Sequence, residues 1–152
     1  MKGNTELLLL IRRMMKLYEA CLEDIRKKYQ LSQLEIKIIG FLFNNPGKDT
    51  AKDISQLRMI PKGNVSQGVE SLIQKSLLLR TQDEQDRRKI HLTLTDAAAP
   101  VVEEIKSAND VFRTQAFFGF SKEELSLYRE LNHRLMENLI QGLERISYGN
   151  KQ

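Results

Sequence analysis

A single cysteine in 152 residues, Cys21, rules out an internal disulfide framework and any zinc site built from several thiolates. The two histidines, His91 and His133, stand far apart in sequence and belong to no metal-ligand cluster. No nucleophile motif and no phosphate-binding glycine loop occurs, and scattered serines and carboxylates do not make an active site; neither catalysis nor a cofactor nor a metal is expected. Long apolar runs are missing too. The longest early one, Leu7 to Ile11, is too short for the core of a signal peptide and is followed at once by Arg12 and Arg13. No run is long enough to span a bilayer. The expectation is a chain neither exported nor embedded in a membrane, at home in a reducing cytoplasm. Internal repeats, low-complexity tracts and interdomain linkers are likewise absent.

What is present is the composition of an ordinary globular protein, 41% hydrophobic and 29% charged, with length enough for one domain and a sizeable core. The net charge of +4 and a pI of about 9.2 favour a polyanionic partner only weakly. Its distribution says more. From Arg58 to Arg80, four cations (Arg58, Lys62, Lys75, Arg80) face one anion, Glu70.

Hydrophobic spacing and end signals divide the chain into elements. Leu7, Ile11, Met14, Tyr18, Cys21, Ile25 and Tyr29 alternate three- and four-residue steps, one stripe of a long helix that needs a partner. Ser32 and Glu35 form a capping-box pair that opens a second helix, carrying Leu34, Ile38, Phe41 and Leu42 up to the Asn45-Pro46-Gly47 break. Thr50 and Asp53 repeat that pair ahead of a short helix with Ala51, Ile54 and Leu57. Pro61 suits the first turn of the next helix, where its missing amide hydrogen would be unpaired anyway. There Val65, Val69, Leu72 and Ile73 share one arc, and Asn64, Gln67, Ser71 and Gln74 the opposite one. Leu77 to Thr81 is β-compatible. Lys89 to Leu94 alternates strictly, with Ile90, Leu92 and Leu94 on one side and Lys89, His91 and Thr93 on the other. Between them lies a charged tip, Asp83 to Lys89. Thr95 is the expected cap of a long helix through Val101, Val102, Ile105, Phe112 and Ala116, with Pro100 placed awkwardly about one turn in. After Phe120, Ser121 and Glu124 give another capping box, and Leu125, Tyr128, Leu131, Leu135, Leu139, Leu143 and Ile146 form a carboxy-terminal stripe.

Two compact helices, a polar-faced second one and a basic hairpin make a winged helix-turn-helix, an order of elements suited to placing one helix in a DNA major groove with the hairpin beside it. The expected fold is mainly α with a small β-hairpin wing. One domain over 1–152 is expected, with the winged lobe at 32–95 flanked by long dimerisation helices at 4–30 and 96–148.

Laid out this way, the chain resembles the MarR (multiple-antibiotic-resistance regulator) family of bacterial transcription factors over nearly its whole length. The most specific stretch is "DEQDRRKIHLTLT" from Asp83, similar to that family's wing: an Asp-Arg-Arg tip and a strand ending in Leu-Thr. "LSQLEIKIIGFL" from Leu31 looks like the helix before the DNA-binding pair, and "TAKDISQLRMIPKGNVSQGVESLIQKSLLLR" from Thr50 looks like the pair itself. Ser76 and Ala98 stand where the family usually has glycine. A left-handed turn at Ser76 costs roughly 1 kcal/mol relative to glycine.

Double-stranded DNA is accordingly the expected partner, bound by a homodimer at a pseudo-palindromic site, with repression if that site overlaps a promoter. Lys62, Asn64, Gln67 and Ser71 are the expected base-facing residues, since amides pair with adenine edges and lysine reaches guanine or phosphate. Arg87 and Arg88 would enter the narrow minor groove, and Lys89, Arg58 and the Thr50 cap would meet phosphates. The resemblance implies that Asp86 supports the wing by holding an arginine and that Arg88 is the inserting residue. Met14, Tyr18, Phe41 and Phe112 are candidates for a pocket taking a small aromatic or lipophilic effector, against the plainer reading of core packing. One branch of the family senses peroxide through a first-helix cysteine; on this apolar stripe Cys21 also fits as a structural residue. The alternative from another class is a helical dimeric adaptor that binds protein through its winged-helix surface.

Overall fold

The structure, a computed structural model, describes residues 3–149, with side chains through 147; the remaining positions of the expected 1–152 domain lie outside the described residues. It forms two compact units, the first reaching Arg113 and the second starting at Thr114.

The first unit begins with α1 (Asn4–Tyr29), whose last turn carries Arg26, Lys27 and Lys28 where cations complement the helix dipole. Gln30 turns into the left-handed region at φ 52° and stops it. The sequence then restarts the helix one step later. In α2 (Gln33–Asn44) the Ser32 hydroxyl accepts from the Glu35 amide at 3.1 Å and the Glu35 carboxylate accepts from the Ser32 amide at 2.7 Å, the expected capping box. Thr50 and Asp53 do the same for α3 (Ala51–Arg58), which Met59 ends at φ 53°. Pro61 is the amino-terminal cap of α4 (Lys62–Gln74), just outside the first turn.

Packing explains one glycine in α4. A Cβ on Gly68 would lie 2.6 Å from Ile38 Cδ1 and 3.1 Å from Leu34 Cγ, so α2 and α4 approach as closely as they do because position 68 has no side chain. Ile38, Ile39, Ile54, Val65, Leu72, Leu78 and Val101 are fully enclosed and make the centre of this core. Leu22 and Ile25 of α1 and Val102 and Ile105 of α5 (Ala99–Ala116) join it.

The hairpin pairs β1 (Leu78–Gln82) with β2 (Ile90–Leu94) antiparallel, Leu78 opposite Leu94 and Gln82 opposite Ile90. The first strand starts one residue later than Leu77 and runs one further than Thr81. The lead-in at Ser76 is left-handed at φ 59°. Thr95 does not cap α5: its hydroxyl donates to the Ser76 carbonyl at 2.7 Å, tying the two ends of the hairpin together. A single 3-10 turn, Asp96–Ala98, intervenes, so α5 begins at Ala99 and Pro100 falls in its first turn, where no amide hydrogen is required.

In the second unit, Gly119 turns the chain at φ 82° and Ser121 with Glu124 closes the expected capping box on α6 (Lys122–Gly149). Phe117 packs edge-on against Phe120 and Tyr128, with ring centroids 5.6 and 4.9 Å apart. Along α6, Leu127, Leu131, Leu135, Leu139, Leu143 and Ile146 are all exposed, from 41% at Leu135 to 67% at Ile146.

Candidate nucleic-acid interface

In α4 the inward arc is Val65, Gly68, Val69 and Leu72, and Lys62, Asn64, Ser66 and Gln67 are exposed on the other side. Ser71 departs from that outward set. Its hydroxyl donates to the Glu35 carboxylate at 2.6 Å, which removes it from the exposed face. The reason lies in helix geometry: position 71 sits at the border of the two arcs, and a buried anion on α2 decides which way it turns.

That anion is only 3% exposed. Burial alone would push the Glu35 carboxyl up, but the Ser32 amide, the Ser71 hydroxyl and the Lys75 ammonium, 2.9 Å away, together hold it below the ordinary carboxylate range. The carboxy-terminal end of α4 is thereby fixed to α2. On the outer side, Glu70 and Arg80 form an ion pair at 2.8 Å between α4 and β1, spending part of the basic excess read from the sequence.

The wing tip is built by short polar contacts. One oxygen of Asp83 accepts from the amides of Gln85 at 2.8 Å and Asp86 at 2.7 Å, and Gln82 donates to the Arg87 carbonyl at 2.8 Å. Asp86 accepts from the Arg88 amide at 3.1 Å and from its guanidinium Nε at 3.2 Å, so the arginine it engages is Arg88 itself. The Arg88 side chain is otherwise 93% exposed. Arg87 and Lys89 are exposed as well.

At the base of the wing, the Leu92 amide donates to the Asp49 carbonyl at 2.7 Å, drawing β2 against the loop that leads into α3. His91 spans the same junction, Nδ1 at 2.8 Å from Asp49 and Nε2 at 2.9 Å from Asp83. Asp83, then Asp49, raises the His91 pKa; in return His91, helped by the Asp86 and Gln85 amides, pulls Asp83 from 3.8 to about 2. The result is an open cleft of about 810 Å³ with Lys48, Thr50 and Lys52 on one wall and Arg88 and Lys89 on the other. The amino end of α3 opens into it. Lys48 and Lys52 escaped the sequence reading, whose charge tally began at Arg58; their position beside the Thr50 cap was the available signal.

Of the four residues read as an effector pocket, Met14, Tyr18 and Phe112 are half-buried. Phe41 is enclosed in the core, and Tyr18 meets Phe112 edge-on at 5.4 Å. Tyr18 also borders an open recess of about 280 Å³ with Met15, Glu19, Lys37, Arg58 and Ile60. Its phenol is shifted up by burial, with Arg58 opposing. Cys21 is half-buried and unpaired. Among the described residues no group of three histidine, cysteine or carboxylate side chains could hold a metal, and no helix is long and apolar enough to cross a membrane.

A polar helix face, a cationic cleft and an arginine-tipped hairpin therefore lie in one unit, and residues 29–89, which contain the helix face, the first strand and the wing tip but stop before β2, match the MarR family model. This segment is similar to the MarR family. The fold extends the likeness beyond the matched residues. BpsR of Bordetella bronchiseptica, whose DNA binding is regulated by 6-hydroxynicotinic acid, is 22% identical, with a TM-score of 0.68 over 86% of this chain and 98% of its own. A MarR family transcriptional regulator from Silicibacter pomeroyi is 20% identical, with a TM-score of 0.73 over 85% of this chain and 86% of its own. MepR of S. aureus, solved as a complex with DNA, is 20% identical and has a TM-score of 0.73 over 90% and 96%. The fold is thus the winged helix of MarR proteins, mainly helical with one two-stranded hairpin.

Proposed function

We propose that the chain is a sequence-specific DNA-binding transcriptional regulator that acts as a homodimer on a pseudo-palindromic operator. The observation that carries this reading is the convergence, within one MarR-type lobe, of α4's exposed Lys62, Asn64 and Gln67 with the cleft whose cations flank the amino end of α3 and the wing. Helix α4 offers side chains of the length and chemistry that read base edges, and the cleft offers amides and ammonium groups spaced for a sugar-phosphate backbone. Arg88, held at its base by Asp86 and free at its tip, is built to enter a minor groove, with Arg87 and Lys89 beside it.

Dimerisation follows from the exposed leucine stripe of α6 and from Leu7, Leu8, Leu10, Ile11 and Met15 on α1, which are also exposed. A second copy that covers these stripes would set two recognition helices about one turn of duplex apart, which requires an inverted repeat. Repression follows where the repeat overlaps a promoter. A small aromatic or lipophilic effector that seats beside Tyr18 would release DNA by binding more tightly to a dimer with its lobes wrongly spaced. The cytoplasm, where the chromosome of a bacterial cell lies, is the matching compartment.

Selection of randomised duplex DNA by the purified protein, followed by sequencing, tests the reading. An enriched inverted repeat, bound with an affinity that falls steeply with salt, is the expected result. A folded, dimeric protein that enriches nothing overturns it. One observation favours the adaptor in that event: Leu57 and Met59, at the turn before α4, are 58% and 76% exposed and would be a point of attachment for protein.

A further inference from the structure

His91 is joined to the DNA-binding surface by a continuous chain of polar contacts. Asp49 holds it from the loop before α3, and the next residue, Thr50, is the cap of that helix. Asp83 holds it from the wing with one carboxylate oxygen, while its other oxygen fixes the amides of Gln85 and Asp86. Asp86 in turn holds Arg88. Thus a single imidazole connects the wall of the cleft that carries Lys48 and Lys52 with the wall that carries Arg88 and Lys89.

The geometry also sets the protonation state this bridge needs. An ionised carboxylate only accepts hydrogen bonds, and a neutral imidazole has one N–H to give. With a carboxylate oxygen within 2.9 Å of each ring nitrogen, both contacts are attractive only for the imidazolium. Neutral His91 would turn a lone pair toward one of the two aspartates.

We propose that His91 is a positioning residue for the wing: as an imidazolium clamped between Asp49 and Asp83 it fixes the spacing between the amino end of α3 and the wing arginines, and DNA affinity depends on its charge. This rests on the DNA-binding reading above. The groups that bear on the ring are Asp83 from the wing and Asp49 from the α2–α3 loop, which favour the charged form, and Lys89 on its own hairpin, which opposes it. The carboxylates dominate, so the pKa lies above the ordinary histidine value of 6.5. A raised pKa places the clamp fully on below that value and removes it as pH rises through the elevated one.

The test uses the full chain and the inverted repeat it selects, with affinity measured from about pH 6 to about pH 9, below the range where lysines titrate. The His91 ring is followed by NMR in the free protein over the same range. The native chain should lose about tenfold in affinity across the step, the scale of a hydrogen bond to a charged group. His91→Gln, which cannot carry the charge, should be weaker by that factor at low pH and show no step. Asp49→Asn, a conservative change on a partly exposed loop, should move the step to lower pH. Three results overturn the clamp with DNA binding left standing: identical pH profiles for native and His91→Gln proteins, an Asp49→Asn profile that does not move, or a His91 ring that titrates at its ordinary value. A native protein that binds no duplex at any pH or salt overturns the DNA-binding reading itself, and the NMR titration then decides the ion pair independently.

Discussion

The winged lobe and α6 both combine leucines with many charged residues, yet they end in opposite states. In the lobe, Ile38, Ile54, Leu72 and Leu78 are wholly enclosed by neighbours from the same unit, and even its buried carboxylate, Glu35, has three partners. In α6 no described residue is buried, and Leu127, Leu131, Leu135, Leu139 and Leu143 each keep a large share of their surface in water. The lobe is closed by its own chain. An isolated amphipathic helix is marginal in water, because helices owe most of their stability to an apolar face packed on something else. What differs is therefore where the apolar surface lies: the lobe encloses its own, and the α6 stripe is left in water.

The strongest way to break that contrast is to spoil the unpartnered stripe. Leu135→Glu combined with Leu139→Glu places four carboxylates at a two-fold contact where burial of each leucine contributes about 1.5–3 kcal/mol. Sedimentation should show monomers, and operator affinity should fall by about a hundredfold or more because the two lobes no longer bind as a linked pair. A double variant that stays dimeric with native affinity would remove α6 from the interface.

Lys75→Met attacks the other side of the comparison, the self-sufficiency of the lobe. Glu35 would keep its burial and lose its cation, at a cost of about 1–3 kcal/mol in unfolding free energy with the oligomeric state unchanged. The pH dependence should also reverse. In the native protein the depressed Glu35 pKa contributes stability that is present above its ordinary value of 4.5 and lost as pH falls through the lower one. In the variant, burial without Lys75 favours the neutral acid, so the deficit should shrink in acid. Urea unfolding at two pH values separates these outcomes.

These examples also mark what could be read from sequence. Three capping boxes were legible because each is complete within four residues: Ser32 with Glu35, Thr50 with Asp53, Ser121 with Glu124. The alternation of β2 and the charged tip between the strands were equally local. Contacts that link distant segments were not legible. Ser71 turns inward because of Glu35, Thr95 is occupied by Ser76, and His91 is held by Asp49, in each case by a partner that only the folded chain brings near. Lys48 and Lys52 join the candidate interface for the same reason, since the Leu92–Asp49 contact is what sets the wing opposite them.

Arg88→Ala has a smaller expected effect and sharpens the division between folding and binding. The side chain is 93% exposed and forms its ion pair with Asp86, also on the wing tip, so thermal stability should stay within experimental error of the native protein. Operator affinity should fall by about tenfold, the scale of one groove contact. Unchanged affinity would take the wing tip out of the DNA-binding model. Gln67→Ala, on the exposed face of α4, should instead relax sequence preference at one base position, visible on repeating the selection.

The smallest effect concerns a place where the lobe carries strain. Ser76 adopts φ 59° to turn from α4 into β1, a conformation in which its Cβ crowds the backbone. It is held there by the Ser76 amide to the Ile73 carbonyl at 2.9 Å and by the Thr95 hydroxyl on its own carbonyl at 2.7 Å. On residue 76 both contacts use backbone atoms only, so Ser76→Gly keeps them and removes the crowding. Glycine also gains freedom in the unfolded chain, which offsets part of the gain. The net should be a stabilisation of about 0.5–1 kcal/mol with DNA affinity unchanged. If the variant is instead less stable, the exposed Ser76 hydroxyl contributes more than the left-handed backbone costs, and the lobe is free of strain at the junction where its recognition helix meets its wing.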